Sequence, residues 1–358
     1  MNNNTKELRF NSKDEAIDYL RGETAKSVWH AAAVTQNNLL VELNYGKENR
    51  YRQLQREFKN NFTGKVYMTQ HVCYENVVMP FKIDFINYFE NQNIDDWSIV
   101  VLQNNTINYK NSSELYHSLR RKAPNALFVC WDYDNHHWVS LSTMAAALVD
   151  VYIPAHTENV NVISKFNSSM YGPIACATLQ WSREFAKKNI KTITKLERKN
   201  EPLGHHFRYD HFPYRNGVIE QINRVYKEVA LIEPLYHDRD SKSRLDEWTS
   251  YKAHWIVPVF NDLPLRLYDA IFTGGIPIIP RTLKGNEHIK DFEDFCVFYD
   301  VHDIADPIPI VNRAIKKFDD GGVAGIKARH KIMFENHHID VRFAKIFKHI
   351  QEEFGIQL

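Results

Sequence analysis

Four short stretches of this chain carry the residue types that do chemistry. Asp132–Trp138 reads DYDNHHW, with two aspartates and two histidines directly after the apolar run ALFVCW. Carboxylates and imidazoles at the carboxyl end of a strand suit general base work or the binding of a polar acceptor. Asp134 and His137 are the preferred bases, with Asp132 and His136 beside them. The same loop can also serve as a cap for the helix that follows. Tyr152–Asn159, YIPAHTEN, follows the next apolar run and places His156 and Glu158 on the same sheet edge. Tyr209–Gly217, YDHFPYRNG, lies between a strand and a helix start. There the free N–H groups of the helix and Arg215 would attract an anion, and Tyr214 or Phe212 would stack on a base. The fourth stretch is WIVPVFNDLPLRLYDAIFTGGIPIIP, Trp255–Pro280.

That last segment reads as strand, loop, short helix, double glycine and buried strand, over Trp255–Phe260, Leu263–Thr273 and Ile276–Ile279. Asp262 suits an N-cap and Pro264 a first helical turn. Arg266 and Asp269, three apart, share a helical face. Arg266 can hold a phosphate or carboxylate by a forked contact, and Asp269 can accept from two ribose hydroxyls. Gly274 can end the helix in the left-handed conformation, and Gly275 can keep the chain close to a ligand.

Elements that position these residues alternate along the chain. Residues 37–46, NNLLVELNYG, read as a strand, and Arg50–Lys59 as a helix. Lys65–Gln70, Trp97–Leu102 and Ala126–Trp131 read as strands, and Ser112–Arg121 and Ser140–Leu148 as helices, with Val149–Ile153 the next strand. Residues 182–203 carry Lys187, Lys188, Lys191, Lys195, Arg198 and Lys199 and end near Pro202, which reads as a solvated helix and linker. Beyond it come strands at His205–Tyr209 and Val229–Ile232, a helix over Gly217–Val229, and a helix over Asp246–His254. Cys296–Tyr299 is a strand, and Ile308–Phe318 and Val341–Phe354 are helices. Strand and helix in alternation predict an α/β protein with parallel sheets.

Bulk properties fit this. A length of 358 residues favours two domains, and 44% hydrophobic with 25% charged residues is ordinary for a globular chain. A net charge of +1 gives no whole-chain field for nucleic acid. None of the four cysteines sits in a C-x-x-C pair, and three lie in apolar runs. No apolar leader or spanning run is visible, which points to a cytoplasmic chain. No G-x-G-x-x-G follows an early strand, which argues against a dinucleotide-dependent epimerase or dehydrogenase.

The pattern R-L-Y-D-A-(x)3-G-G-I-P-I-I-P, Arg266–Pro280, resembles the R-L-[YF]-E-A-L-(x)2-G-x-I-P-[VI] segment of exostosin-like and other GT-B glycosyltransferases. The lead-in S-R-L-D-E-W-(x)3-K-A-H-W, Ser243–Trp255, is similar to theirs, and the likeness covers roughly residues 200–320. It implies a GT-B fold, two Rossmann-like domains facing across a cleft. These are an acceptor-binding domain over 1–185, a donor-binding domain over 186–335, and a C-terminal helix over 336–358 that packs back on the first. It implies a sugar transferred from a nucleotide-sugar donor to a hydroxyl of a glycan or lipid-linked glycan, in bacterial capsule or lipopolysaccharide synthesis. No metal cofactor and no nucleic acid are expected, and association with the inner face of the membrane would be peripheral. By the resemblance Asp269 holds the donor ribose; Arg215, Tyr214, Asn261, Arg266, Gly274 and Gly275 complete the expected donor site. The E-x7-E pair of many retaining enzymes is not kept, because Asn261 stands at the first position. A CMP-linked acid sugar is a second donor class, and a non-catalytic carbohydrate-binding protein is the rival that needs no base.

Overall fold

The computed structural model describes residues 12, 38–69, 83–86, 93–103, 118–167, 169–232 and 239–358, and in 38–48 and 85–86 the backbone alone. The expected helix Ser112–Arg121 lies mostly outside them, as does Cys73. The chain divides into two compact units. The first comprises Met1–Glu75, Met79–Ala175 and Phe343–Leu358, and the second Asn76–Val78 and Cys176–Arg342.

In the first unit, helix α1 (Asn38–Asn61) precedes β1 (Val66–Thr69), β2 (Ile83–Ile86), β3 (Ile99–Gln103), β4 (Leu127–Asp132), α2 (Val139–Leu148), β5 (Val151–Pro154) and α3 (Val160–Ile163). The strands form one parallel sheet in the order β2-β1-β3-β4-β5. Strands β1, β3, β4 and β5 are buried throughout, as a parallel sheet covered on both faces requires. The strand expected at residues 37–46 is not formed. Asn38 onward belongs to the 24-residue α1, which absorbs Gly46 at a cost of about 1 kcal/mol and continues into the charged helix that follows it.

The second unit contains α4 (Arg183–Lys188), α5 (Ile190–Ile193), β6 (Lys199–Phe207), α6 (Pro213–Asn223), β7 (Val229–Ile232), α7 (Ser241–Trp248), β8 (Tyr251–Trp255), α8 (Leu265–Phe272), β9 (Ile276–Pro280), β10 (Val297–Tyr299), α9 (Val301–Ala305) and α10 (Ile308–Asn336). Helix α11 (Ile339–Phe354) follows, most of it in the first unit. The second sheet is also parallel, in the order β10-β9-β8-β6-β7. Counted from its own first strand, it has the same 2-1-3-4-5 order as the first sheet. Two parallel α/β sheets of Rossmann-like type are therefore present. No helix among the described residues is long and apolar enough to cross a membrane.

Boundaries differ from the sequence reading in several places; helix α10 also runs on to Asn336, well past the expected end at Phe318. The linker expected at 182–203 is two short helices and the start of β6, because Ala186 and Ile193 are buried between exposed lysines. Helix α7 starts at Ser241, not Asp246, because Asp240 caps it by accepting from the N–H groups of Lys242 and Ser243. The stretch Tyr251–Trp255 then forms β8, and the residues after Trp255 turn out of the sheet.

One buried carboxylate, paired with two arginines, anchors the first unit. Asp150, in the turn between α2 and β5, accepts from Arg50 Nε at 2.8 Å, Arg120 Nη1 at 3.0 Å and Phe128 N at 2.9 Å. Burial opposes its charge, but the two guanidiniums outweigh burial and hold its carboxyl below the usual range. Removing one partner of such a group strands the others. Asp150→Asn is expected to cost about 3 kcal/mol or more in chemical denaturation at neutral pH. Because the folded value is depressed, this contribution is present above the unfolded carboxylate value of about 4 and is lost as the pH falls below it. The gap between wild type and Asp150→Asn should therefore narrow in acid.

Candidate functional site

A 2-1-3-4-5 parallel sheet changes winding direction between its strands 1 and 3, and ligands bind outside the carboxyl ends of the strands at that point. In the second unit this is the gap between β6 and β8. A cavity of about 570 Å³ opens there, within the usual range for a small-molecule site. Phe212–Arg215 after β6, Val257–Asn261 after β8, Pro280–Thr282 after β9 and Tyr299–Val301 after β10 all contribute to its wall.

Arg215 splints the switch point. Helix α6 begins at Pro213, four residues earlier than the sequence suggested, since proline fits the first helical turn and no N–H is lost there. That start places Arg215 in the first turn, nearly buried. Its Nη1 donates to Phe207 O at 2.8 Å on the β6 side, and its Nε to Val257 O at 3.0 Å on the β8 side. Nη2 lies 3.3 Å from His206 Nδ1, while His206 Nε2 lies 3.2 Å from Trp255 O. The imidazole must then donate through Nε2 and accept through Nδ1. Burial, with Arg266 and Arg215 nearby, holds His206 neutral by pushing its pKa well below the ordinary value. Arg215 remains a cation in the wall, with three of its donors committed to protein.

The rim is aromatic. Tyr214 is 72% exposed and Phe260 is 65% exposed. Phe212 meets Phe260 edge to face, with ring centroids 5.1 Å apart at 84°. Phe260 has φ 55, a left-handed backbone that costs a non-glycine residue roughly 1–2 kcal/mol. An exposed ring held at that cost is an unusual use of stability. Also at the exposed mouth, Asn261 Oδ1 accepts from Thr282 Oγ1 at 2.7 Å, and Arg281 Nε donates to Asp300 Oδ2 at 2.7 Å. Asp300 also caps α9 in a reciprocal capping box with Asp303.

The RLYDA segment plays a different part from the one expected. Arg266, Asp269, Gly274 and Gly275 do not contribute to this cavity wall. Asp269 is 1% exposed, and its two oxygens accept from Thr178 Oγ1 at 2.7 Å and Gln180 Nε2 at 2.6 Å. The donor pair that a ribose diol would offer is thus supplied by protein. Burial raises its pKa to about 6 against the lowering effect of Gln180, Thr178, Arg244 and Arg266. Gly274 does take the left-handed conformation, φ 78, but a Cβ there would meet Ile326 Cγ2 at 2.5 Å. A Cβ on Gly275 would meet the His254 ring at 2.3 Å. Both glycines admit protein, not ligand. Pro264, not Asp262, occupies the N-cap of α8.

In the first unit, DYDNHHW and YIPAHTEN are brought together as expected. Asn135 joins them: its Nδ2 donates to His156 O at 2.8 Å and Glu158 O at 2.9 Å, and its Oδ1 accepts from Ala155 N and His156 N. Asp132 is fully buried, bonded to Tyr152 OH at 2.5 Å and Asp134 N at 2.9 Å, and burial raises its pKa. It has no surface with which to reach a substrate and acts as the loop's anchor. His156 is also buried, with Nε2 2.9 Å from Tyr133 O. His136 lies between His156 and His137, each centroid 4.3 Å away with the rings inclined at 61° and 59°, and its Nε2 lies 2.8 Å from His137 Nδ1. Burial first, then these two imidazoles, push His136 far below the ordinary value, so it stays neutral. Among the aspartates and histidines of the group, Asp134 and His137 are partly exposed while Asp132, His136 and His156 are buried.

Phe260, Arg281, Thr282 and Asp300 had no signal in the sequence, since a positive φ at phenylalanine leaves no mark in residue type. Asn135 sat inside a motif that drew attention to its charged neighbours. The chain matches no protein-family model and no curated protein sequence.

Asp269 gives a pH test. Its folded pKa is raised, so the folded state binds the extra proton between the unfolded value of about 4 and about 6. Stability should fall as the pH rises through that window, by an amount on the order of 3 kcal/mol. Asp269→Asn is expected to remove this slope in urea midpoints measured from pH 4 to 7. An unchanged slope would assign the dependence to another group.

Proposed function

We propose that this chain is a nucleotide-sugar-dependent glycosyltransferase of GT-B type, with the donor's nucleotide in the β6–β8 cavity of the second unit. The observation that carries this reading is the cavity itself, at the switch point of a parallel sheet, rimmed by exposed aromatics and backed by a buried arginine. The base stacks against Phe260 or Tyr214, where exposed π faces are available. The phosphates lie toward Arg215 and the first turn of α6, where fixed positive charge stabilises the nucleotide as it leaves.

Sugar transfer also needs a group that takes a proton from the acceptor hydroxyl as it attacks the anomeric carbon. Asp134 and His137 are assigned that work, with the neutral His136 holding the His137 ring through its Nδ1. The resemblance of Arg266–Pro280 to GT-B segments supports the same class, although Asp269 acts as a brace. A glycan hydroxyl is the acceptor, and a cytoplasmic location follows from the nucleotide-sugar supply. A CMP-linked acid sugar would use the same arginine.

Calorimetric titration with UDP, GDP and CMP tests the reading. At least one should bind with a Kd of about millimolar or tighter. Phe260→Gly should weaken that nucleotide by roughly tenfold through lost stacking, while leaving the protein as stable as wild type or up to about 1 kcal/mol more so, since glycine accepts the left-handed backbone. Absence of binding by all three would overturn the proposal. For the base, Asp134→Asn and His137→Ala should lower transfer or donor hydrolysis by roughly a hundredfold or more, and full activity in both variants would remove that assignment.

A further inference from the structure

The basic run read from the sequence as a solvated face carries more than charge. Between Glu184 and Lys199, five lysines are exposed, Lys187, Lys188, Lys191, Lys195 and Lys199, against two exposed acids, Glu184 and Glu197. Lys188 pairs with Glu184 at 2.6 Å, and both side chains stay largely in solvent. Among these lysines Ile190 and Leu196 are 39% and 45% exposed. The one arginine of the run, Arg198, is turned inward and bonds to backbone carbonyls.

We propose that this stretch of α4, α5 and the turn into β6 is a docking surface for an anionic lipid bilayer. Lysine is a compact point charge on a long apolar stem, suited to a smeared field of headgroups. A reader of nucleic acid would present forked guanidiniums and stacking rings, which this run keeps inside or lacks. Exposed isoleucine and leucine between cations match the boundary between headgroups and acyl chains, where apolar area is buried and lysines reach outward. The whole chain carries only +1, so the attraction is local and acts within about a Debye length of the surface. The surface stands apart from the nucleotide cavity and does not depend on the function assigned to it.

The test is cosedimentation of the full chain with phosphatidylcholine vesicles, with and without phosphatidylglycerol, and a parallel binding measurement on heparin. Binding should require phosphatidylglycerol and weaken as salt is raised. Each lysine contributes about fivefold in partition, so K187Q/K188Q/K191Q/K195Q should lose at least about a hundredfold. I190S/L196S should lose roughly fivefold or more while keeping the same salt dependence. These positions are exposed, and an unchanged circular dichroism melt confirms that the variants fold. Equal binding to neutral vesicles, no binding to either, or wild-type binding by the lysine variant would overturn the proposal. So would tighter binding to heparin that ignores I190S/L196S, which would assign the surface to a soluble polyanion.

Discussion

The second unit is organised around the end of helix α8. A helix leaves its last carbonyls without partners, and here they are buried, so something must donate to them. His330 Nδ1 lies 2.7 Å from Phe272 O, Arg198 Nη2 donates to Thr273 O at 2.9 Å, and Arg329 Nε donates to Gly274 O at 2.9 Å. Two buried guanidiniums near one another are costly, and burial lowers Arg198 to about 9, with Arg329 adding to the effect, and Arg329 to about 10. What offsets that cost is the negative end of the helix dipole and the carbonyls themselves. Both guanidiniums also lie over the Phe318 ring, at 5.1 and 5.4 Å from its centroid. With the helix end fixed this way, the chain must turn at once into β9 through Gly274 and Gly275, where no side chain fits. The register of β9 beside β8, and with it the Pro280–Thr282 wall of the cavity, follows from that turn.

The same logic explains which features could be read from residue order. The strands β4, β5 and β9 were legible because parallel strands buried on both faces are short apolar runs between turn residues, and the half-buried edge strands β7 and β10 because they too are short apolar runs. The start of α8 and its glycine stop were nearly so. Residues 37–46 misled because Leu39, Leu40 and Val41 beside Gly46 have strand character locally, and only the charged helix beyond shows that the segment is its first turns. The early starts of α6 and α7 depended on Pro213 and Asp240, residues equally at home in plain turns.

Side-chain roles were less legible than elements, for a physical reason. A carboxylate reads as chemistry because its two oxygens can accept from a ligand, but they accept as well from protein. Asp269 is met by Thr178 and Gln180, about ninety residues away in sequence, and no local pattern announces that pairing. Asp132 is claimed by Tyr152 from the neighbouring strand. Arg215 was found correctly as a positive group at the first strand–helix turn, yet its reach to Val257 across the switch point needed the sheet order, which residue types alone do not fix.

That sheet order separates bracing from exposure across the second unit. Where the chain braces itself, at the end of α8 and its glycines, the enclosed carbonyls of Phe272, Thr273 and Gly274 are each met by a donor, as burial demands. Where the sheet reverses its winding, the strands diverge and no helix can fill the gap, so a cavity remains whatever the side chains are. The cheapest lining would be small polar residues in relaxed turns. This chain places Phe260 there instead, in a left-handed backbone and with most of its ring in solvent. Its edge-to-face contact with Phe212 accounts for part of the cost, about 0.5–1.5 kcal/mol at most. Where that contact falls short of the strain, a flat ligand laid against the exposed ring would add the missing interaction.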